Sequence, residues 1–157
     1  MKRRRVLTST RFLVVFAATS ALSDPSADIE GVKVASKAFY EAVVVVDDGT
    51  AMDNVWAHTP YITYVGPKST SIILGWDAQK SYWSEFNKPF ARRTVELVGS
   101  HIHVVGDLAW EIGSEVGQAH MKDGTIRKVD WFATNVYQKI DGRWLMVSHH
   151  VQPKPQQ

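Results

Sequence analysis

The spacing of apolar residues changes along the chain, and the change separates helices from strands. Ile29, Val32, Phe39, Val43 and Val46 recur at roughly helical spacing. They predict a first helix that ends at Asp47-Asp48-Gly49, with a β-branched run, Val43–Val46, that needs tertiary burial to hold its last turn. Thr50-Ala51-Met52-Asp53 has the form of a capping box and predicts a short helix ending near Trp56. Tyr61–Val65 reads as a strand broken by Gly66-Pro67. Gly75–Lys88 reads as a second long helix, with Ala78, Tyr82 and Phe86 on one face, Trp83 beside them, and Pro89 as its stop.

Beyond Pro89 the pattern is that of strands. Val95–Val105, Leu108–Met121, Thr125–Ile140 and Arg143–Val151 are long and rich in Val, Ile, Trp and Tyr. Gly106-Asp107, Asp123-Gly124 and Asp141-Gly142 separate them as two-residue hairpin turns. The expected fold class is therefore α+β. A strongly curved antiparallel sheet, a four-strand meander plus one N-terminal strand, wraps two longer helices and one short helix into a cone. One domain is expected over residues 29–151, after a lead-in at 24–28 and before a flexible tail at 152–157.

Charge alters this picture only at the N-terminus. Lys2, Arg3, Arg4, Arg5 and Arg11 precede an apolar run, Phe12–Leu22, that is too short to span a bilayer. Ala21 and Ser23 stand at −3 and −1 of a cut before Asp24. Residues 1–23 thus read as a signal peptide, and the protein as periplasmic or secreted with no stable membrane anchor after cleavage. N-terminal sequencing of the exported protein checks this: a chain starting at Asp24 is expected, and one starting at Met1 contradicts it. The formal charge of +2 belongs to the leader; the mature chain keeps 13 basic and all 16 acidic residues, a net −3. Nucleic acid is accordingly discounted as a partner. The absence of cysteine excludes disulfides, thiolate chemistry and Cys-based zinc sites.

Three strings carry a family likeness. They are Val55-Trp56-Ala57-His58 leading into Tyr61–Val65 and Gly66-Pro67; Gly75-Trp76-Asp77-Ala78; and Thr134-Asn135-Val136-Tyr137, followed by Asp141-Gly142-Arg143-Trp144-Leu145, Val147, His149 and His150. With the order of elements, they make residues 30–151 resemble the NTF2-like superfamily, particularly its SnoaL-like members. The resemblance implies a cone enclosing a pocket. It says little about the reaction, because the fold hosts isomerases, cyclases, dehydratases, binding proteins and assembly modules. The kinase association domains of this superfamily end in His-x-His-x-Ser, whereas the same places here read Ser148, His150 and Gln152. In ketosteroid isomerase the general base is an Asp on the first strand. Ile62-Thr63-Tyr64-Val65 holds no carboxylate, so steroid isomerisation by that route is rejected.

Strict alternation places Asp130, Phe132, Thr134 and Val136 on one face of the third meander strand. On the fourth, Trp144, Met146, Ser148 and His150 share a face, and Leu145, Val147, His149 and Val151 the other. The resemblance implies that the Thr134 and His150 faces line the pocket. His150 oriented by Asp130 is then the expected acid–base pair, and Tyr64 a phenol donor. Tyr40, Trp56, Trp83, Phe86, Trp110, Phe132, Thr134 and Ser148 are the expected ligand-binding wall of an apolar, ring-sized cavity. Tyr40 and Tyr64 read equally well as core residues. Glu111 and Glu115 read as the outer face of the second meander strand. A three-His metal site from His101, His103 and His150 has no supporting carboxylate, so no metal or cofactor is assigned. Val98, Ile102 and Val104 are expected on an outer face that pairs two copies into a homodimer. The expected function is small-molecule binding with cofactor-free acid–base turnover; a non-catalytic association domain is the alternative.

Overall fold

The computed structural model describes residues 25–155, so the signal peptide read at residues 1–23 lies outside the described residues. The first helix, α1 (Pro25–Val44), begins inside the stretch read as a lead-in, because the fixed φ of Pro25 suits a first helical position. It stops before the end of the β-branched run. A 3-10 turn (Thr50–Met52) follows, then β1 (Thr63–Val65), β2 (Ile73–Leu74) and α2 (Trp76–Asn87). The meander is β3 (Phe90–Val105), β4 (Leu108–Met121), β5 (Ile126–Ile140) and β6 (Arg143–Pro153). β2 was not foreseen. β3 starts well before Val95, which brings Arg93 into the sheet. Among the described residues, no helix is long and apolar enough to cross a membrane.

The six strands form one curved, open sheet in the order β2-β1-β6-β5-β4-β3. The meander is antiparallel, whereas β1 runs parallel to β6. The concave face packs on the helices through a core that includes Val32 and Phe39 of α1, Trp83 of α2, and Met52, Trp56, Ile62, Tyr64, Tyr137 and Met146. This is the cone that the residue pattern predicts.

Two β-bulges decide which side chains enter it. On β6, Met146 faces Tyr137 and Ser148 faces Val136, so Val147 is an extra residue with no partner of its own. A bulge shifts the alternation by one residue. Trp144 and Met146 therefore point inward, and beyond Val147 the inward side chains are His149 and Val151. On β3 an extra residue lies between Val98 and His101, where Gly99 takes a φ of +64°. Val98 faces outward, but Ile102 and Val104 pack against the core. This corrects the expectation that the three share the outer face.

Candidate functional site

One row of side chains crosses the concave face. Ile102, Glu111, Asn135, His149 and Tyr64 are successive register partners on β3, β4, β5, β6 and β1. Glu111, Asn135 and His149 are all buried. Asn135 sits in the middle and orients its neighbours. Its Nδ2 donates to Glu111 Oε2 (3.2 Å) and to the Tyr40 hydroxyl (3.1 Å). Its Oδ1 therefore accepts from His149 Nδ1 at 2.7 Å. The hydrogen-bond network assigns the imidazole proton to Nδ1 and leaves a lone pair on Nε2. Glu111 also accepts from Ser100 Oγ (2.6 Å) and the Tyr137 hydroxyl (2.9 Å).

Glu115 stands two concave positions along β4. The small residues Gly113 and Ala133, register partners, separate it from the row. It accepts from the Tyr40 hydroxyl at 3.1 Å, and its Oε1 lies 3.7 Å from His149 Nε2. Burial pushes the Glu115 carboxyl up to about 7, against the lowering effect of the Tyr40 bond. Burial, aided by the neighbouring His150, pushes His149 down to about 3. Near neutral pH the two are therefore a neutral imidazole and a carboxyl close to its midpoint, and not an ion pair. Burial raises the phenols of Tyr40, Tyr64 and Tyr137 above their ordinary range, so they remain protonated donors. Tyr64 stacks on the His149 ring at 5.4 Å, and Phe39 packs at 4.9 Å.

This cluster divides two spaces. A cavity of about 50 Å³ is lined by Phe39, Tyr64, Trp83, Arg93, Glu115 and His149, among others. An open groove of about 570 Å³ runs between α1 and β3, past Lys33, Lys37, Leu97, Ser100 and Glu111. Tyr40 lines the groove and bonds Glu115, which lines the cavity. The cavity is smaller than the roughly 150 Å³ void that admits benzene, so among the described residues this cavity is not ring-sized.

Residues 32–152 match the SnoaL-like domain family, and that match spans most of the chain. The chain belongs to the SnoaL-like family. Solved structures agree at the level of the fold. A candidate dehydratase of the NTF2-like family from Streptomyces avermitilis is 22% identical with a TM-score of 0.74, over 84% of this chain and 100% of that one. An NTF2-like superfamily protein from Salmonella enterica is 19% identical with a TM-score of 0.76, over 85% and 95%. The association domain of C. elegans CaMKII is 17% identical with a TM-score of 0.62, over 80% and 95%. Comparison with curated proteins gave no significant match.

The SnoaL-like domain brings only some of the expected site residues together. Tyr40, Tyr64, Trp56, Trp83 and Phe86 lie in or against the concave core. His150, Asp130, Trp110, Phe132, Thr134 and Ser148 lie on the other side of the sheet. His150 pairs with Thr134 and Val65, and Ser148 bonds Thr63 Oγ1 at 2.7 Å. Asp130 is bound by Lys128 and Lys154, each at 2.8 Å, which hold its carboxyl down at about 2. It stands four positions along β5 from the partner of His150, roughly 13 Å of strand. The expected Asp130–His150 pair is therefore not formed. The physical reason is the Val147 bulge, which turns His150 outward, and its partner Thr134 faces outward with it. His101 and His150 occupy one outward row with β4 and β5 between them, roughly 14 Å apart. Among the described residues, no three potential ligands converge on a metal position.

Glu111 and Glu115 reverse the usual pattern of a half-buried strand. The carboxylates of β4 face the core, while Trp110 and Ile112 face out. The sequence carried no signal for this. A two-residue turn at Asp123-Gly124 would set Glu111 opposite Val136; the turn observed spans three residues, 122–124, with Met121 N–H donating to Thr125 O, and sets Glu111 opposite Asn135.

Proposed function

We propose that the SnoaL-like domain acts, after export, as a small-molecule pocket in which Glu115 and His149 move a proton without a cofactor. The observation that carries this reading is a buried carboxyl 3.7 Å from an imidazole lone pair and lining a cavity, where burial raises its pKa towards neutrality. An acid poised near the working pH can both give and take a proton. Tyr40 fixes the carboxyl, and Asn135 fixes the imidazole tautomer. A substrate atom lodged in the cavity beside both groups would lose a proton to one and regain one from the other. That is the chemistry of isomerisation or dehydration, and a candidate dehydratase is among the structural neighbours.

Mass spectrometry of small molecules carried through native purification identifies the ligand. Solvent hydrogen exchange into that ligand, followed by NMR in D₂O, then reads proton transfer. Glu115→Gln should slow the exchange by on the order of a hundredfold or more, while His150→Ala should leave it near wild type. Unchanged exchange in Glu115→Gln would remove the catalytic reading.

A separate observation favours assembly as a second role. Val98, Trp110, Ile112 and Phe132, each 39–51% exposed, lie on the convex face. Contiguous apolar surface of this kind suits a second copy of the chain, and an association domain is also among the neighbours. Light scattering at micromolar concentration should show a dimer for the wild type and a monomer for Ile112→Lys. A monomeric wild type would refute this.

A further inference from the structure

We propose that Arg93 makes the concave cavity an anion site that takes the carboxylate of a small organic acid. This deepens the pocket reading by naming the chemical class of its ligand.

Arg93 enters the core from β3 and is only 6% exposed. Its Nε donates to Val43 O and its Nη2 to Val45 O (3.2 Å), at the end of α1. That helix has no basic residue in its last turn, so Arg93 supplies the cation that the negative helix end favours. These bonds occupy one edge of the guanidinium. On the other edge, Nη1 is buried and has no hydrogen-bond partner. The rings of Trp83, Phe86 and Phe90 surround the group at 5.6, 5.5 and 5.1 Å. Aromatic faces attract a cation but offer no acceptor in the plane of the fork. No carboxylate among the described residues forms an ion pair with it. A buried charge with an unused donor is costly, and here that charge lines a cavity.

The cavity selects the kind of anion. Among the described residues Arg93 is its one cationic lining residue, since His149 is neutral, so with Glu115 protonated a single negative charge is matched. About 50 Å³ limits the ligand to a short-chain acid. The fork of a guanidinium suits a planar carboxylate. Phe39, Tyr64 and Trp83 offer apolar surface to a short hydrocarbon portion. Glu115 lines the same cavity, and in its protonated form it donates to the anion or exchanges a proton with the adjacent carbon.

The test is a titration of the wild-type protein, labelled with ¹⁵N-arginine, with sodium butyrate against butyramide at constant sodium chloride. The Arg93 Nε–H signal, assigned in the wild type by its through-space contacts with the Trp83, Phe86 and Phe90 rings, should shift saturably with butyrate and not with butyramide. Butyrate affinity should fall roughly tenfold to a hundredfold in Arg93→Gln or Arg93→Met. Equal responses to the two probes, no saturable shift at Arg93, or full affinity in a folded Arg93 variant would overturn the proposal. The wild-type signal decides even if both variants fail to fold. Glu115→Gln, which lacks the acid O–H, should bind butyrate more weakly, with the Arg93 signal still shifting saturably. If it does so while exchanging ligand hydrogen as fast as wild type, the anion site stands and the proton-transfer reading falls. If Glu115→Gln alone abolishes exchange while Arg93 does not respond to butyrate, the reverse holds.

Discussion

Glu115→Gln should be more stable than wild type at pH 8, relative to the same comparison at pH 4, by about 3 kcal/mol. The carboxyl has an ordinary value of 4.5 in the unfolded chain and about 7 in the fold. Between those values the folded state binds the proton and the unfolded state has released it. Stability from this group is thus fully present below pH 4.5 and is lost as pH rises to about 7. Gln mimics the protonated form at every pH and does not lose it. His149 acts in the opposite sense. Its value falls from 6.5 to about 3 on folding, so its contribution is present above pH 6.5 and is lost as pH falls towards 3. In wild type the two slopes oppose each other between about pH 4.5 and 6.5. Removing Glu115 should expose a steep rise in stability with pH across that window. The other groups around Glu115 are the phenols of Tyr40 and Tyr64, which stay protonated throughout, and Arg93, which lines the same cavity and stays charged. Urea unfolding of both proteins from pH 4 to 8 measures the difference. A constant offset between the two curves would show that the Glu115 carboxyl titrates alike in the folded and unfolded chain.

Gly117→Ala should cost roughly 4 kcal/mol or more. Gly117 pairs with Val95 across β3 and β4 at a φ of +157°. A Cβ there would lie 1.9 Å from the Thr94 carbonyl oxygen and 2.7 Å from its carbon. Neither atom belongs to a flexible side chain, so relief requires the two strands to part. That parting would occur two residues from Glu115 and next to the segment that carries Arg93. The site should therefore be lost with the stability. Gly124→Ala is the control: φ is also positive, at +86°, but nothing lies within 4 Å of the added carbon. Its cost should be only the local strain of about 1–2 kcal/mol. Thermal melts of the two variants side by side decide this. Equal melting temperatures would show that the β3–β4 ladder relaxes at no great cost.

The amino-acid pattern determined the elements and most of their order. Helical spacing from Ile29, the Gly75 and Pro89 limits of α2, and three short turns each act within a few residues, so α1, α2 and the four-strand meander could be read directly, although the turn at Asp123-Gly124 has three residues and not two. β2 could not, because two residues carry no period. The early start of β3 was hidden by Arg92 and Arg93, which look solvent-directed until Arg93 is seen tied to the end of α1. The aromatic interior was legible too: Tyr40, Tyr64, Trp56 and Trp83 are buried as expected. What the sequence could not settle was which face of each strand lies inside. Alternation has a period of two, so one extra residue inverts everything beyond it. The bulges at Val147 and near Gly99 do this on β6 and β3, and only strand pairing reveals them. On β4 no bulge intervenes, but hydrophobicity points the wrong way. Glu111 and Glu115 are inside because Asn135, Tyr40, Tyr137 and Ser100 satisfy them there, while Trp110 and Ile112 are left outside. Local sequence therefore specified the strands, and the long-range hydrogen bonds between them decided that His149, and not His150, faces the cavity.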